Sequence, residues 1–306
     1  MLNPIRLMIL AASVLMMAPL SALGQTDAQS LSNLRADCTR GDAAACNDLG
    51  YSLNKGDKGE LNYEAARVAF SASCLNGNRL GCYEKGVMQH KARGGAKDLR
   101  GARISYNKAC DLGLASACSN LGVLYKNGLG GPVDVTKGAE LYGKACAGGE
   151  HLSCHNLGLM QVAGKAIPEN LAGARQNFAT GCNGGYGESC YMLGLMQTSG
   201  EGGAENAAAG IASFKLACER NHRESCVNAW AGYYMGETIT KNQNTARILA
   251  KKGCDMMDAT SCGIYGYMQT EGEGGAKDVA AGKASFTQAC NLGDQEACSA
   301  LAADAG

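Results

Sequence analysis

Cysteine recurs along this chain on a fixed register, and no other feature limits its folding so tightly. Cys38, Cys74, Cys110, Cys146, Cys182, Cys218, Cys254 and Cys290 follow one another at steps of 36 residues, without an insertion or deletion. Each is followed eight positions later by a second cysteine: Cys46, Cys82, Cys118, Cys154, Cys190, Cys226, Cys262 and Cys298. Self-similarity at a period of about 20 to 50 residues is the mark of a solenoid, in which each unit buries its apolar face only against its neighbours.

The remaining columns of the repeat are helical. Sixteen positions past the second cysteine stand Asn62, Asp98, Asp134, Asn170, Asn206, Asn242 and Asp278. Asn and Asp are favoured N-caps because the side-chain oxygen accepts from an orphan helix N–H. A helix, B, is therefore predicted from each cap to the next first cysteine. Its interior carries Ala or Gly at 66, 102, 138, 174, 210, 246 and 282. Four residues further on stand Phe70, Tyr106, Tyr142, Phe178, Phe214 and Phe286, with Ala250 as the exception. The i, i+4 spacing sets both columns on one core-facing side. Gly41, Gly77, Gly113, Gly149, Gly185 and Gly293 stand three residues past the first cysteine, where a left-handed C-terminal cap belongs. Asn221 suits that cap and Met257 departs from it. A second helix, A, starts near the second cysteine and carries Gly50, Gly86, Gly122, Gly158, Gly194 and Gly266 in one column. A glycine inside a helix costs up to about 1 kcal/mol against Ala, so its recurrence predicts a close helix–helix approach.

The cysteine pairing follows from reach. Residues eight apart in one straight helix are separated by about 12 Å. A disulfide needs Cα atoms within about 7 Å. The chain must therefore turn between the two cysteines, and each bond is predicted to staple the end of helix B to the start of the next helix A. Structural zinc pairs use two to four intervening residues, not the seven found here.

Composition narrows the setting. The chain opens with Arg6, an apolar run over 7–20 and the small-x-small sequence Ala22-Leu23-Gly24, which reads as a leader cleaved after Gly24. Disulfides behind a leader imply an oxidising compartment, so a periplasmic or secreted protein is expected. Lys+Arg and Asp+Glu both number 28, which gives no basic footprint for nucleic acid. No segment past the leader is apolar enough for a membrane span. The domains expected are a leader over 1–24, a capping helix over 25–37, the repeats over 38–298 and a C-terminal cap over 299–306.

The string Ala117-Cys118-Ser119-Asn120-Leu121-Gly122-Val123-Leu124-Tyr125-Lys126-Asn127-Gly128 resembles helix A of a Sel1-like repeat, and Asp134, Gly138 and Tyr142 through Cys146 resemble its helix B. The cysteine spacing is similar to that of the Helicobacter cysteine-rich proteins. The resemblance covers about residues 38–298. It implies an all-α fold, a right-handed α/α superhelical solenoid of 36-residue disulfide-stapled hairpins. It also implies a monomeric scaffold, without a cofactor, that binds a protein, a peptide or a cell-wall fragment. Some cysteine-rich relatives have been classed as penicillin-binding proteins or β-lactamases, which makes weak β-lactam binding or hydrolysis the alternative. A mitochondrial relative is linked to haem, but the leader argues against that location. Gln89, Gln161, Gln197 and Gln269 stand where the family has Tyr, as at Tyr125 and Tyr233. The repeat over 218–253 departs most, with Trp230 in the glycine column and Ala250 in the aromatic one. Trp230 either fills the volume absent at Ala250 or marks a pocket with Tyr233 and Tyr234.

Catalytic motifs are thin. Ser-x-x-Lys occurs at Ser52/Lys55 and Ser105/Lys108, but neither Ser-Asp-Asn nor Lys-Thr-Gly accompanies it. His151 and His155 flank Cys154 and read as surface histidines, too few to hold a metal. Met88, Met160, Met196 and Met268 share one column and read as core. The positions one, five and eight past the second cysteine form one stripe of helix A and vary between repeats. Family likeness places this stripe on the concave surface. Its candidate binding residues are Tyr83, Val87, His90, His155, Leu159, Tyr191, Leu195, Tyr234 and Tyr267.

A non-reducing peptide map should find eight local bonds, Cys38–Cys46 through Cys290–Cys298, and no free thiol. A bond between repeats, such as Cys46 to Cys74, would contradict the hairpin reading.

Overall fold

The computed structural model describes residues 20–303, and these contain sixteen α-helices and no strand. A first compact unit, up to Asp98, holds α1 (Leu20–Thr39), α2 (Ala43–Lys55), α3 (Tyr63–Leu75) and α4 (Arg79–His90). A second unit, from Leu99, holds α5 (Leu99–Asp111), α6 (Ala115–Lys126), α7 (Val135–Ala147), α8 (His151–Ala163), α9 (Leu171–Asn183), α10 (Gly187–Ser199), α11 (Ala207–Glu219), α12 (Arg223–Met235), α13 (Gln243–Asp255), α14 (Ala259–Glu271), α15 (Val279–Asn291) and α16 (Gln295–Ala303). Even-numbered helices are A helices and odd-numbered ones from α3 onward are B helices. The leader expected over 1–24 lies outside the described residues as far as residue 19, as do residues 304–306 of the expected C-terminal cap.

Every cysteine pair is bonded across the B-to-A turn, with Cα atoms between 4.3 Å (Cys74–Cys82) and 4.7 Å (Cys110–Cys118) apart. The turn closes by two backbone bonds of the Schellman type. In the first hairpin Gly41 N donates to Cys38 O at 2.9 Å and Asp42 N donates to Asp37 O at 3.1 Å. The same pair recurs at every staple, so the first cysteine sits one turn before the cap residue. Glycine is chosen there for its dihedral angle and not for space. Gly41 has φ +90° and Gly185 φ +95°, and a Cβ at either would meet nothing within 4 Å. Asn221 (φ 66°) and Met257 (φ 62°) adopt the same left-handed conformation. The departure at Met257 is thus one of residue type alone, at a cost of about 1 to 2 kcal/mol for a non-glycine side chain.

Glycines of helix A answer the opposite need. A Cβ at Gly50 would lie 2.6 Å from the Phe70 ring, at Gly158 2.8 Å from Phe178, and at Gly194 2.5 Å from Phe214. These A helices therefore lay bare backbone against the aromatic ring of the helix B that follows, whereas α12 puts Trp230 in that column against Ala250. Phe70, Tyr106, Tyr142, Phe178 and Phe214 are buried, while Phe286 is only half-buried. Each pair is also tied at its far end. The N-cap residue accepts from its own helix, as Asn62 Oδ1 does from Ala65 N at 2.9 Å. Its backbone N–H donates to helix A nine residues back, as Asn62 N does to Leu53 O at 2.9 Å. The glutamines found in the tyrosine column reach helix B: Gln197 and Gln269 each accept from a serine, Ser213 and Ser285, at 2.6 Å.

A second, longer period runs through the second unit. Its helices B alternate between Ala-Arg (Ala102-Arg103, Ala174-Arg175, Ala246-Arg247) and Gly followed by another residue (Gly138-Ala139, Gly210-Ile211, Gly282-Lys283). Each arginine reaches forward to the next A-to-B turn. Arg103 donates to Leu129 O at 2.7 Å, Leu124 O at 2.9 Å and Pro132 O at 3.0 Å, and lies over the Tyr125 ring. Arg175 and Arg247 hold the carbonyls of Ala204 and Ala276 in the same way. The turns so held contain Gly-Gly, and a Cβ at Gly131 would lie 2.8 Å from the Arg103 guanidinium. Where the arginine is replaced by Ala139 or Ile211, the position of that glycine holds Ile167 or Ile239. In the first unit Arg67 and Gly95 make the same pair. Arg67 and Arg103 stand in consecutive repeats, so the alternation breaks once, and the boundary between the units falls there.

This pairing predicts a coupled double mutant. Arg103→Ala, which removes the donor to the turn carbonyls of Leu129, Gly131 and Pro132, and Gly131→Ile, which meets the guanidinium, should each lower stability by about 1 to 2 kcal/mol. The double mutant should recover at least about 1 kcal/mol relative to their sum, as read by denaturant unfolding. Simple additivity would break the link between arginine and turn.

Candidate binding site

Each staple brings two columns together: the residue after the second cysteine, and the residue that caps the next helix A. At three staples the pair takes a different form. His155 sits against Tyr186 at 5.0 Å between ring centroids, and against Phe178 at 5.6 Å. Tyr191 stacks on His222 at 4.4 Å and touches Phe214 at 5.9 Å. Two repeats on, the same register holds Gly263, Phe286 and Asp294. There the inner ring is missing and the outer one is a carboxylate. Asp294 Oδ1 caps α16, accepting from Glu296 N and Ala297 N at 3.0 Å. Its Oδ2 stands 2.9 Å from where a Cβ of residue 263 would be.

The missing side chain opens a cavity of about 480 Å³. Its walls are Trp230 and Tyr234 of α12, Ile264 and Tyr267 of α14, and Phe286 of α15, with Asp294 and Glu296 at the α16 end. Trp230 belongs to one core cluster with Phe214, Ala250 and Met268 and is 8% exposed, so it supplies the volume that Ala250 lacks. It also borders the cavity, which makes the two sequence readings of this repeat complementary. Trp230 Nε1 is buried without a hydrogen-bond partner among the described residues. Burial and the adjacent Glu273 carboxylate push the Tyr234 hydroxyl up to about 12, so it stays protonated. The Lys241 ammonium lies over the Tyr234 ring, 5.1 Å from its centroid.

The sequence stripe is divided by the structure. Tyr234 and Tyr267 meet in the cavity. Leu159 and Leu195 are exposed on α8 and α10. Tyr191 is occupied by its stack on His222. Tyr83, Val87 and His90 lie half-buried on α4, in the first unit. His155, read from sequence as a surface histidine, is buried because its ring fills the socket beneath Tyr186; its Nδ1 lies 3.2 Å from Ser189 Oγ. Met88, Met196 and Met268 are buried and Met160 is half-buried. Ser52 and Ser105 are 6% and 3% exposed. Gly263, Phe286, Asp294 and Glu296 were not singled out from sequence as binding residues. Comparing the two columns across repeats would have found them, because only there does a glycine oppose an acid beside an aromatic ring.

No described helix is long and apolar enough to cross a membrane, and no group of three or more His, Cys, Asp or Glu among the described residues is placed to hold a metal ion. The family model described as Sel1 repeat matches residues 43–68, 115–150, 151–186, 187–222, 228–256 and 261–294. Among solved structures, the chain is similar to a protective antigen of uropathogenic Escherichia coli with an SLR fold, at 24% identity and a TM-score of 0.78. The match covers 89% of this chain but only 58% of that one. It is also similar to a Sel1 repeat protein from Oxalobacter formigenes, at 21% identity and a TM-score of 0.69, over 91% of this chain and 80% of that one. Cysteine-rich protein B of Helicobacter pylori matches at 27% identity over 45% of this chain and 99% of its own, with a TM-score of 0.34. A comparison with curated protein sequences found no match.

Burial holds His155 below the ordinary histidine pKa, with the Glu188 carboxylate opposing weakly. The folded protein therefore prefers the neutral ring, and the unfolded chain takes up a proton that the fold does not. Stability should fall as pH drops below about 6.5, the unfolded value, towards the depressed folded one. Melting temperatures of His155→Phe should vary less than the parent's between about pH 7 and 5. Parallel curves would show that this proton is not linked to folding.

Proposed function

Because the chain belongs to the Sel1 repeat family, whose model matches more than half of its length, we propose that it is a non-catalytic scaffold whose helix A face in the second unit binds a peptide segment of a partner protein. Sel1 repeat scaffolds serve protein–protein interaction. The observation that carries the finer reading is the cavity walled by Trp230, Tyr234 and Tyr267. The chain is only 6% aromatic, yet three such side chains from successive A helices converge there. Tyr and Trp offer large contact area with few rotors, and binding energy concentrates on such residues. A cell-wall fragment is the second ligand class raised by the family resemblance. The two acids at one end of the cavity favour a peptide over an uncharged glycan.

Eight disulfides are consistent with an extracytoplasmic compartment, where the scaffold would act as an exported monomer. The β-lactam alternative is less well supported. Both serines of the Ser-x-x-Lys pairs are buried, and Lys55 lies towards the Tyr51 ring, 5.9 Å from its centroid. A nucleophile must reach substrate.

The test is capture of a partner from the native envelope by the oxidised protein, followed by its affinity for variants. Replacing both Tyr234 and Tyr267 by Ala should weaken a partner by at least about 2 kcal/mol, roughly thirtyfold, with little loss of melting temperature. Ser52→Ala and Ser105→Ala should leave binding unchanged. Hydrolysis of a chromogenic cephalosporin that Ser105→Ala abolishes would replace the scaffold reading with the enzymatic one.

A further inference from the structure

We propose that the socket at Gly263 receives the guanidinium of an arginine side chain presented by a peptide. This rests on the reading of the second unit as a peptide-binding scaffold. The repeat itself defines the socket. In two other repeats the space between the helix B ring and the next cap residue holds a planar group of the chain's own, His155 or Tyr191. A third repeat closes it differently: Ser119 accepts from Ser153 at 2.8 Å, and Tyr142 beneath is fully buried. At Gly263 no ring of the described residues takes that place, the Asp294 carboxylate stands over the glycine, and Phe286 is left half-buried.

The register is the one that holds the Tyr191 ring, stacked on His222, two repeats earlier, and the outer partner has changed from that imidazole to a carboxylate. A guest that stacks flat and carries positive charge meets both conditions. Guanidinium does so, since it is planar, weakly hydrated and able to lie on an aromatic face while it donates to a carboxylate. Asp294 is suited to accept, because Oδ1 is committed to the α16 cap while Oδ2 lies over Gly263, 2.9 Å from where a Cβ would be. Glu296 adds a second negative charge at the same end. The Tyr234 ring that lines the cavity already takes a cation on its face, the Lys241 ammonium. A lysine ammonium would satisfy charge but not the stacked geometry.

Trp230 is the one tryptophan of the chain, so selectively excited tryptophan emission reports on this cavity. The oxidised full chain should be titrated with acetyl-Gly-Arg-Gly-amide and with its citrulline and lysine counterparts. The arginine peptide should shift the fluorescence saturably, with the citrulline and lysine peptides at least about tenfold weaker. Asp294→Asn keeps a cap-forming side chain and should erase most of the preference for arginine over citrulline. Gly263→Tyr, which copies the tyrosine that Tyr191 places in the same column, should displace the Asp294 carboxylate, fill the socket and abolish binding, with helicity and melting temperature showing that it folds. Equal binding of citrulline or lysine, undiminished binding by Gly263→Tyr, or no saturable change up to about 10 mM peptide overturns the proposal. If it is overturned while the Tyr234/Tyr267 double variant still loses a native partner, only the arginine assignment fails and the scaffold stands.

Discussion

A disulfide between residues eight apart, with Cα atoms held 4.3 to 4.7 Å from each other, obliges the chain to reverse between the end of one helix and the start of the next. Closing so short a loop contributes about 2.5 kcal/mol by loss of unfolded-state entropy. The sulfurs also serve as core. Cys46, Cys82, Cys154, Cys190, Cys226 and Cys262 are fully buried, in a protein with few aromatic side chains to bury. Beside the bond, the two residues preceding the cysteines exchange volume. Ser73 faces Gly81, whereas Gly181 faces Ser189 and Gly253 faces Ser261, and in each case a Cβ on the glycine would strike the serine hydroxyl. The other five staples carry a small side chain at both positions or an aspartate at one, as at Ala109 and Ala117, so the serine–glycine pairing is one of several ways to fill this space.

With that turn fixed, the rest of the hairpin is a question of how closely helix A can approach the following helix B. Glycine on A against a ring on B gives one answer, and Trp230 against Ala250 gives the inverse with similar volume. The arginine–turn pairing adds a third connection, from one hairpin to the next, and its alternation gives the second unit a 72-residue period beneath the 36-residue one. The cavity at Gly263 is a departure from this regularity. It exists because one repeat keeps the ring of helix B while omitting the side chain that covers it elsewhere.

The hairpins, their caps and the staples were legible in sequence because each rests on a column whose residue type has one physical reason: a left-handed dihedral, an N-cap oxygen, a reach too long for a straight helix. The alternating arginines were equally present in the sequence, but their partners are backbone carbonyls about 21 to 29 residues away, which no side-chain column displays. The stripe on helix A was legible as a row of variable positions, but not what each residue of it does. Variation along it mixes two causes. His155 and Tyr191 vary because they fill different sockets, while Tyr234 and Tyr267 border space left open. Telling the two apart required the cap column one repeat on. Met257 shows the converse case, a residue that breaks the column while the backbone keeps its φ, because the staple and the Schellman bonds already determine it.

The claim at the centre of this account is that the staples hold together hairpins that their sparse core alone would not. Hydrogen exchange of the full chain, resolved by hairpin and compared with and without reductant, addresses it directly. Reduction should strip protection from the B-to-A turn amides, beginning with the terminal hairpins, which have a neighbour on one side only. Protection that stayed unchanged in reductant along the whole chain would show that helix packing suffices and that the disulfides are not what holds this fold.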